Sequence, residues 1–174
     1  MESQRKRRRQ LMIRWMLYFL LLLCAAALQT MPGFLTIGSF KPYFILAVCL
    51  AVAFQEGEFY GALFGAVGGL LWDYTAGRTF GMLGIGILFL CFLVSVLVQL
   101  YLKPSSVNFF LLNLACGWLL LSTDFLFNDL MRGYAHAARR YAVVILPEIV
   151  VSSLLAPLIL LLVRRIAARL SPEE

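Results

Sequence analysis

The stretch of sequence from Gly57 to Asp73 reads GEFYGALFGAVGGLLWD. Four of its glycines recur every four residues, at Gly57, Gly61, Gly65 and Gly69, and Asp73 continues the series. In an α-helix, this spacing places all five positions along one ridge. Because glycine has no side chain, the backbone of a neighbouring helix can approach such a ridge closely, as it does in membrane helix pairs. The stretch therefore predicts a membrane helix with a helix-packing surface, which we call the glycine ridge.

Two interpretations of the glycine ridge are open at this point. The ridge can pack against another helix of the same chain, inside a tight bundle. It can also be the face at which a partner helix or a second copy of the chain docks, which would make a homodimer possible. Different parts of the ridge can serve both purposes.

The composition of the whole chain is that of an integral membrane protein. Its 174 residues are 62% hydrophobic and 14% charged, and the mean hydropathy is +0.88. Soluble domains are about half apolar and a quarter charged, which excludes a water-soluble globule. The formal net charge of +6 is concentrated in the run from Arg5 to Arg9, next to an apolar segment, and this placement argues against a nucleic-acid partner.

Apolar runs predict one integral membrane domain over residues 1–174, an all-α polytopic fold with about six transmembrane helices. The first run contains Arg14, which we expect to reach the headgroup region by snorkelling. A signal peptide cleaved near Ala27 is the alternative to a retained first span. The second run is shorter than a bilayer requires, so it either crosses or forms a re-entrant hairpin with the third. The predicted spans are residues 11–30, 42–55, 57–75, 80–102, 107–127 and 141–163.

Positive charges indicate the orientation of these spans, since Lys and Arg accumulate on the cytoplasmic side. With six crossings and an internal N-terminus, ten of the fifteen basic residues lie in cytoplasmic segments. We therefore expect both termini in the cytoplasm and the chain in the bacterial inner membrane.

Ionisable residues inside spans are costly and therefore informative. Under this topology, Asp73, Asp124 and Glu148 lie near the outer ends of their helices, with loop arginines as counter-charges. Asn113 and Asn128 share a helix face with Asp124. These side chains either line an outward-facing cavity or serve as helix caps and ion pairs. The expected outer-face cluster is Asp73, Arg78, Asn113, Asp124, Asn128 and Glu148.

Catalytic and metal-binding motifs are not found in the sequence. The four cysteines fall in apolar stretches without CxxC spacing, and we expect buried free thiols, no metal and no cofactor. The stretches around Asp124 and Asn128 are faintly similar to lipoprotein signal peptidase, but the Asn-Arg-rich segments expected near its first aspartate are absent beside Asp73. We therefore expect no enzyme activity, and an intramembrane hydrolase is a minor alternative.

The run GAVGGLLWDY at residues 65–74, followed by Gly77 and by Phe80–Gly81, resembles the signature of the MreD family of rod-shape-determining proteins. In that family a glycine-rich helix ends in GLxxD and is followed by a short loop and a hydrophobic-Gly pair. Pro42, the chain length and the helix number are also similar to the family.

This resemblance implies a non-enzymatic membrane scaffold of the bacterial cell-elongation complex, which maintains rod shape and peripheral peptidoglycan synthesis. The implied partner is MreC, through its transmembrane and periplasmic parts, with RodA, its class B penicillin-binding protein and MreB as indirect partners. The implied fold is similar to the substrate-binding subunit of energy-coupling-factor transporters. The alternative function is accordingly a vitamin-binding subunit of such a transporter, and the glycine ridge suits both.

Overall fold

A computed structural model describes residues 2–31, 33, 41–77, 81–131 and 137–170. Helices account for nearly all of these residues. Two π-helical turns, Leu126–Leu130 and Tyr141–Ile145, follow α5 and precede α7. The α-helices are α1 (Glu2–Thr30), α2 (Ile45–Glu56), α3 (Glu58–Ala76), α4 (Met82–Leu100), α5 (Ser106–Phe125), α6 (Ala137–Arg140) and α7 (Leu146–Arg169).

The predicted all-α polytopic membrane fold is confirmed. Within the described residues, four helical segments are long and apolar enough to cross a bilayer: Arg7–Thr30, Met82–Leu100, Ser106–Asn128 and Tyr141–Arg169. The fifth apolar helix, α2, has only 12 residues, or about 18 Å of length. The glycines and polar residues of α3 lower its hydropathy below that of the four. A complete crossing by α2 and by α3 stays a prediction, as does the likeness to transporter substrate-binding subunits.

Helix α2 is the centre of the bundle. Every residue from Ile45 to Phe54 is buried, most of them completely. A helix that is apolar on all sides lies either in lipid or inside a protein core, and the neighbouring helices decide between the two. Here α3, α4, α7, α1 and α5 all pack against α2. Helix α2 is therefore a core helix rather than a lipid-facing one.

The bundle has two ends, and polar contacts define each of them. At the end that carries the N-terminus of α1, which we call the basic end, α2 stops and α3 starts. The opposite end, which we call the polar end, carries the start of α2 and of α4. The contacts at the basic end are Arg14 with Glu56, Gln99 with Glu58, and Arg164 with the Pro104 carbonyl.

Helix α2 runs antiparallel to α1 from the polar end to the basic end. Its first residues contact Gln29 of α1, and its last residue contacts Arg14. These two positions on α1 are about 22 Å apart along the helix axis. Within the bundle, α2 therefore runs from one end to the other rather than returning to the end at which it starts.

Candidate functional site

The glycine ridge of α3 is filled by helices of the same chain. A Cβ on Gly65 would lie 2.7 Å from the Cys91 Sγ, and one on Gly69 would lie 2.6 Å from the Gly84 Cα of α4. A Cβ on Gly61 would lie 2.6 Å from the Ala53 Cα of α2. Heavy atoms do not approach this closely, so each position requires glycine. Because α4 and α2 occupy the space over the ridge, a partner helix or a second copy cannot pack there.

The prediction that Gly57 is part of the glycine ridge is wrong. Gly57 is the single non-helical residue between α2 and α3, with a φ of 89°. Side chains other than glycine are strained in this left-handed region. The role of Gly57 is therefore to turn the chain at the basic end. Gly68, one position before Gly69, contacts Cys49 of α2 and so adds a second packing surface to α3.

Asp73 ends the ridge and caps the next helix. Its carboxylate accepts hydrogen bonds from the backbone N–H groups of Gly81 at 2.8 Å, Leu83 at 3.2 Å and Gly84 at 3.1 Å. These are the first amides of α4, which have no partner within their own helix. The carboxylate is almost fully buried, and it also complements the positive end of the α4 dipole. The expected partner Arg78 lies outside the described residues.

A polar network missed by the sequence analysis joins α1 to α2 at the basic end. The Arg14 guanidinium forms an ion pair with Glu56 and donates to the Tyr18 hydroxyl at 3.1 Å. The Tyr18 hydroxyl donates to the Glu56 carboxylate at 2.6 Å. The prediction that Arg14 reaches the headgroup region by snorkelling is therefore wrong, because its side chain is only 13% exposed and turns toward the bundle. The two charges are 42 positions apart in the sequence, so local patterns give no signal for the pair.

The start of α2 is held by side chains of two other helices. The Gln29 Oε1 of α1 accepts from the N–H groups of Phe44 at 3.0 Å and Ile45 at 3.2 Å. The Ser152 Oγ of α7 accepts from the Tyr43 N–H at 2.9 Å. Amides at a helix start that point into an apolar region would be costly without such acceptors. Both ends of the core helix are thus bonded to its neighbours.

A polar cavity of about 210 Å³ lies at the polar end of the bundle. Its lining includes Asp124 of α5 and Glu148 of α7, together with the cations Lys41 and Arg140. Asn128, on the π-helical turn after α5, donates to the Asp124 carboxylate at 2.8 Å. Trp72, next to Asp73 on α3, is part of the wall. The remaining lining residues are Gln29, Leu83, Leu121, Val144 and Ile145.

Asn113 lies deeper in the bundle than this cavity. It is three turns before Asp124 on α5, about 16 Å along the axis, and its Nδ2 donates to the Ser153 Oγ at 3.1 Å. The Tyr43 ring lies directly over Gly117, where a Cβ would collide with the hydroxyl. The Tyr43 hydroxyl and the Asn113 Oδ1 are buried and have no hydrogen-bond partner among the described residues. The residues of the expected outer-face cluster therefore lie in different places. Asp124 and Glu148 line the cavity, with Asn128 bonded to Asp124. Asn113 lies inside the bundle, and Asp73 caps α4.

A family model described as rod shape-determining protein MreD matches residues 9–167. The chain belongs to the MreD family. No curated protein and no solved structure matches it significantly.

The MreD match extends from the basic end of α1 to the last turns of α7, so it includes both bonded ends of α2, the glycine ridge and the polar cavity. Family membership assigns the chain a role in rod shape determination. The family is one of shape-determining membrane proteins rather than of enzymes.

The four cysteines are the remaining side chains of this MreD-family chain with potential redox or metal-binding chemistry. All four cysteines are free thiols, and Cys49, Cys91 and Cys116 are buried in helix contacts. Cys24 is exposed on α1, so the prediction of a buried thiol is wrong there. Across the described part of the chain, no group of three or more His, Cys, Asp or Glu side chains is placed to hold a metal ion.

Proposed function

We propose that this MreD-family protein is a non-enzymatic scaffold of the cell-elongation complex that binds MreC. Through MreC it would act on RodA, the class B penicillin-binding protein and MreB, and so maintain peripheral peptidoglycan synthesis. The observation that carries the proposal is that α2 fills the centre of the bundle and is bonded at both ends. Such a body presents fixed outer surfaces, which is what a scaffold requires.

The size of the polar cavity favours a scaffold over a vitamin-binding subunit. Pockets for drug-sized ligands enclose about 300–1,000 Å³, whereas this cavity encloses about 210 Å³. Asp124, Arg140 and Glu148 already take part in interactions within the protein. The chemistry of the cavity is therefore that of a polar contact between helices.

We propose that both termini are cytoplasmic, in the bacterial inner membrane. The basic end carries the Arg5–Arg9 run, Lys103 and the α7 arginines, so it suits the anionic cytoplasmic leaflet. Fusions of a phosphatase that is active only in the periplasm test this. A fusion after Lys103 should be inactive and a fusion after Lys41 should be active. The reverse pattern would contradict the orientation but leave the fold unaffected.

Co-purification tests the scaffold proposal. The tagged protein is extracted from its native membrane in mild detergent, and bound proteins and small molecules are identified by mass spectrometry. We expect MreC together with the elongation synthase. Recovery of an ATPase pair with a bound vitamin would overturn the proposal and favour a transporter subunit.

A further inference from the structure

A second, larger recess lies on the membrane-facing side of the bundle, between α1 and α3. It encloses about 870 Å³, within the range of about 300–1,000 Å³ that is typical of ligand pockets. We call it the α1/α3 groove. Its walls include Ile13, Met16, Leu20 and Leu23 of α1 and Leu63 and Val67 of α3. These side chains are apolar, so the occupant must present hydrocarbon to them.

The length of the groove matches one leaflet of a bilayer. From Ile13 to Leu23 it follows ten residues of α1, or about 15 Å. The hydrocarbon core of a bilayer is about 30 Å thick. A transmembrane helix of a partner would need walls along the whole core, whereas lipid acyl chains occupy only half of it. The dimensions favour acyl chains.

The end of the groove nearest the N-terminus has the features of a headgroup region. Trp15 and Tyr60 are part of its lining, with ring centroids 5.6 Å apart. Trp and Tyr concentrate at the membrane–water interface, because their rings are apolar and carry one polar group. Trp15 and Tyr60 therefore mark the depth at which lipid acyl chains end and headgroups begin.

Basic side chains continue the same face of α1 beyond that depth. Arg5, Arg9, Ile13, Met16, Leu20 and Leu23 follow one another in steps of four, four, three, four and three residues, which keeps them on one side of the helix. Arg5 and Arg9 are exposed. Each residue of a helix advances about 100° around its axis, so Arg7, two residues before Arg9, lies on the opposite side. The groove thus has a cationic mouth in line with its apolar walls.

We propose that the α1/α3 groove binds an anionic phospholipid from the leaflet on the side of the N-terminus. The acyl chains pack against α1 and α3, and the phosphate headgroup pairs with Arg9 and Arg5. This site is independent of the partners proposed above.

Native mass spectrometry tests the proposal with phosphatidylglycerol and phosphatidylcholine as probes. The purified full chain is reconstituted in nanodiscs of equal parts of the two lipids, extracted into mild detergent, and its retained lipids are counted. We expect preferential retention of phosphatidylglycerol. Arg9→Gln should reduce this preference about fivefold, the effect of one basic residue at an anionic surface. Arg7→Gln, with the same change of net charge, should leave the preference unchanged.

A second pair of variants tests the apolar part of the groove. Leu20 and Leu158 are 56% and 59% exposed, and only Leu20 lines the groove. Leu20→Trp should fill the groove and abolish lipid retention, whereas Leu158→Trp on α7 should not.

Four results would overturn the proposal. They are equal retention of the two lipids, equal losses in Arg7→Gln and Arg9→Gln, lipid retention that survives Leu20→Trp, and a two-copy mass that Leu20→Trp abolishes. The last would assign the groove to a second copy of the chain. Loss of a co-purified protein in Leu20→Trp, with lipid retained, would assign it to a partner helix.

Discussion

The half of the bundle built from α2, α3 and α4 differs from the half built from α5 and α7 in how its helices are held together. In the first half, glycines bring backbones into contact, and the polar groups at both ends of α2 are bonded. In the second half, polar side chains face one another across the 210 Å³ cavity. Against α5, the hydroxyl of Tyr43, which precedes α2, and the Asn113 Oδ1 have no hydrogen-bond partner within the described residues.

The difference separates two ways of specifying a membrane fold. Close backbone approach leaves no alternative arrangement, because any added atom collides with main chain. Polar groups around a cavity can change partners or accept water at small cost. We therefore expect substitutions in the α2–α3–α4 half to change the stability of the protein more than substitutions in the α5–α7 half.

The largest expected effect is that of Gly69→Ala. Its Cβ would lie 2.6 Å from the Gly84 Cα and 2.8 Å from the Leu83 carbonyl oxygen. Because these are backbone atoms, we expect a loss of about 3 kcal/mol, at the upper end of overpacking costs. A thermal unfolding series in detergent measures it.

The matched control for Gly69→Ala is Gly86→Ala on α4, whose Cβ would meet only the flexible end of Leu120. Both substitutions gain about 1 kcal/mol of helix propensity, so their difference isolates the backbone collision. Equal melting temperatures for the two variants would contradict backbone contact at the glycine ridge.

The second expected effect comes from the charged pair at the basic end. Glu56→Gln leaves the Arg14 guanidinium in a largely buried position without its counter-charge. Removal of one partner from a fully buried pair costs about 3–5 kcal/mol, and we expect about 2 kcal/mol here because both side chains keep some exposure. The double variant Arg14→Gln/Glu56→Gln should recover part of this loss.

The control for Glu56→Gln is Glu58→Gln, two residues away, where the carboxylate is exposed and bonded to Gln99. The stability of the Glu58→Gln variant should not differ measurably from that of the unchanged protein. The single variant Arg14→Gln completes the comparison. If the double variant loses as much stability as Arg14→Gln and Glu56→Gln lose in total, Arg14 and Glu56 do not act as a pair.

The sequence predicted the helices of this fold well, because apolar runs and glycine spacing are local properties. Gly61, Gly65 and Gly69 indicated a close helix contact, but not that α4 would provide it. Gly57 was misassigned, since the same four-residue step continues through a turn. The φ of 89° places Gly57 at the turn between α2 and α3.

The polar contacts were harder to predict, because their partners are distant or belong to the backbone. Arg14 and Glu56 are separated by a complete helix hairpin, and neither residue carries a motif. Asp73 binds amides, which every residue type presents, so no side-chain pattern marks its partner. Asp124 and Glu148 are expected together because the predicted topology puts both at the same end of the bundle, and both line the polar cavity.

A smaller effect is expected from Asp73→Asn. The amide keeps one oxygen as an acceptor for the three N–H groups at the start of α4 but loses the charge that complements the helix dipole. We expect a loss of about 1 kcal/mol, typical of a helix cap, and an unchanged capture of partners at low temperature. Ser105→Ala, which removes the exposed cap of α5, should cost less. An equal cost at the two caps would contradict the structural importance of Asp73.

The smallest effect is expected from Tyr43→Phe. Tyr43 precedes α2 and packs over Gly117 of α5, whereas Tyr18 of α1 bonds Glu56 at the end of α2. Comparison with Tyr18→Phe therefore contrasts a hydroxyl without a partner with a bonded one. Both tyrosines are almost fully buried, but the Tyr18 hydroxyl bonds Arg14 and Glu56, whereas the Tyr43 hydroxyl has no partner among the described residues. Tyr18→Phe should cost about 1–2 kcal/mol, whereas Tyr43→Phe should change stability by less than about 0.5 kcal/mol. A large loss in Tyr43→Phe would mean that a buried water joins Tyr43 to Asn113. In that case the α5–α7 half is as fully bonded as the α2–α3–α4 half, and the two halves differ in solvent content rather than in stability.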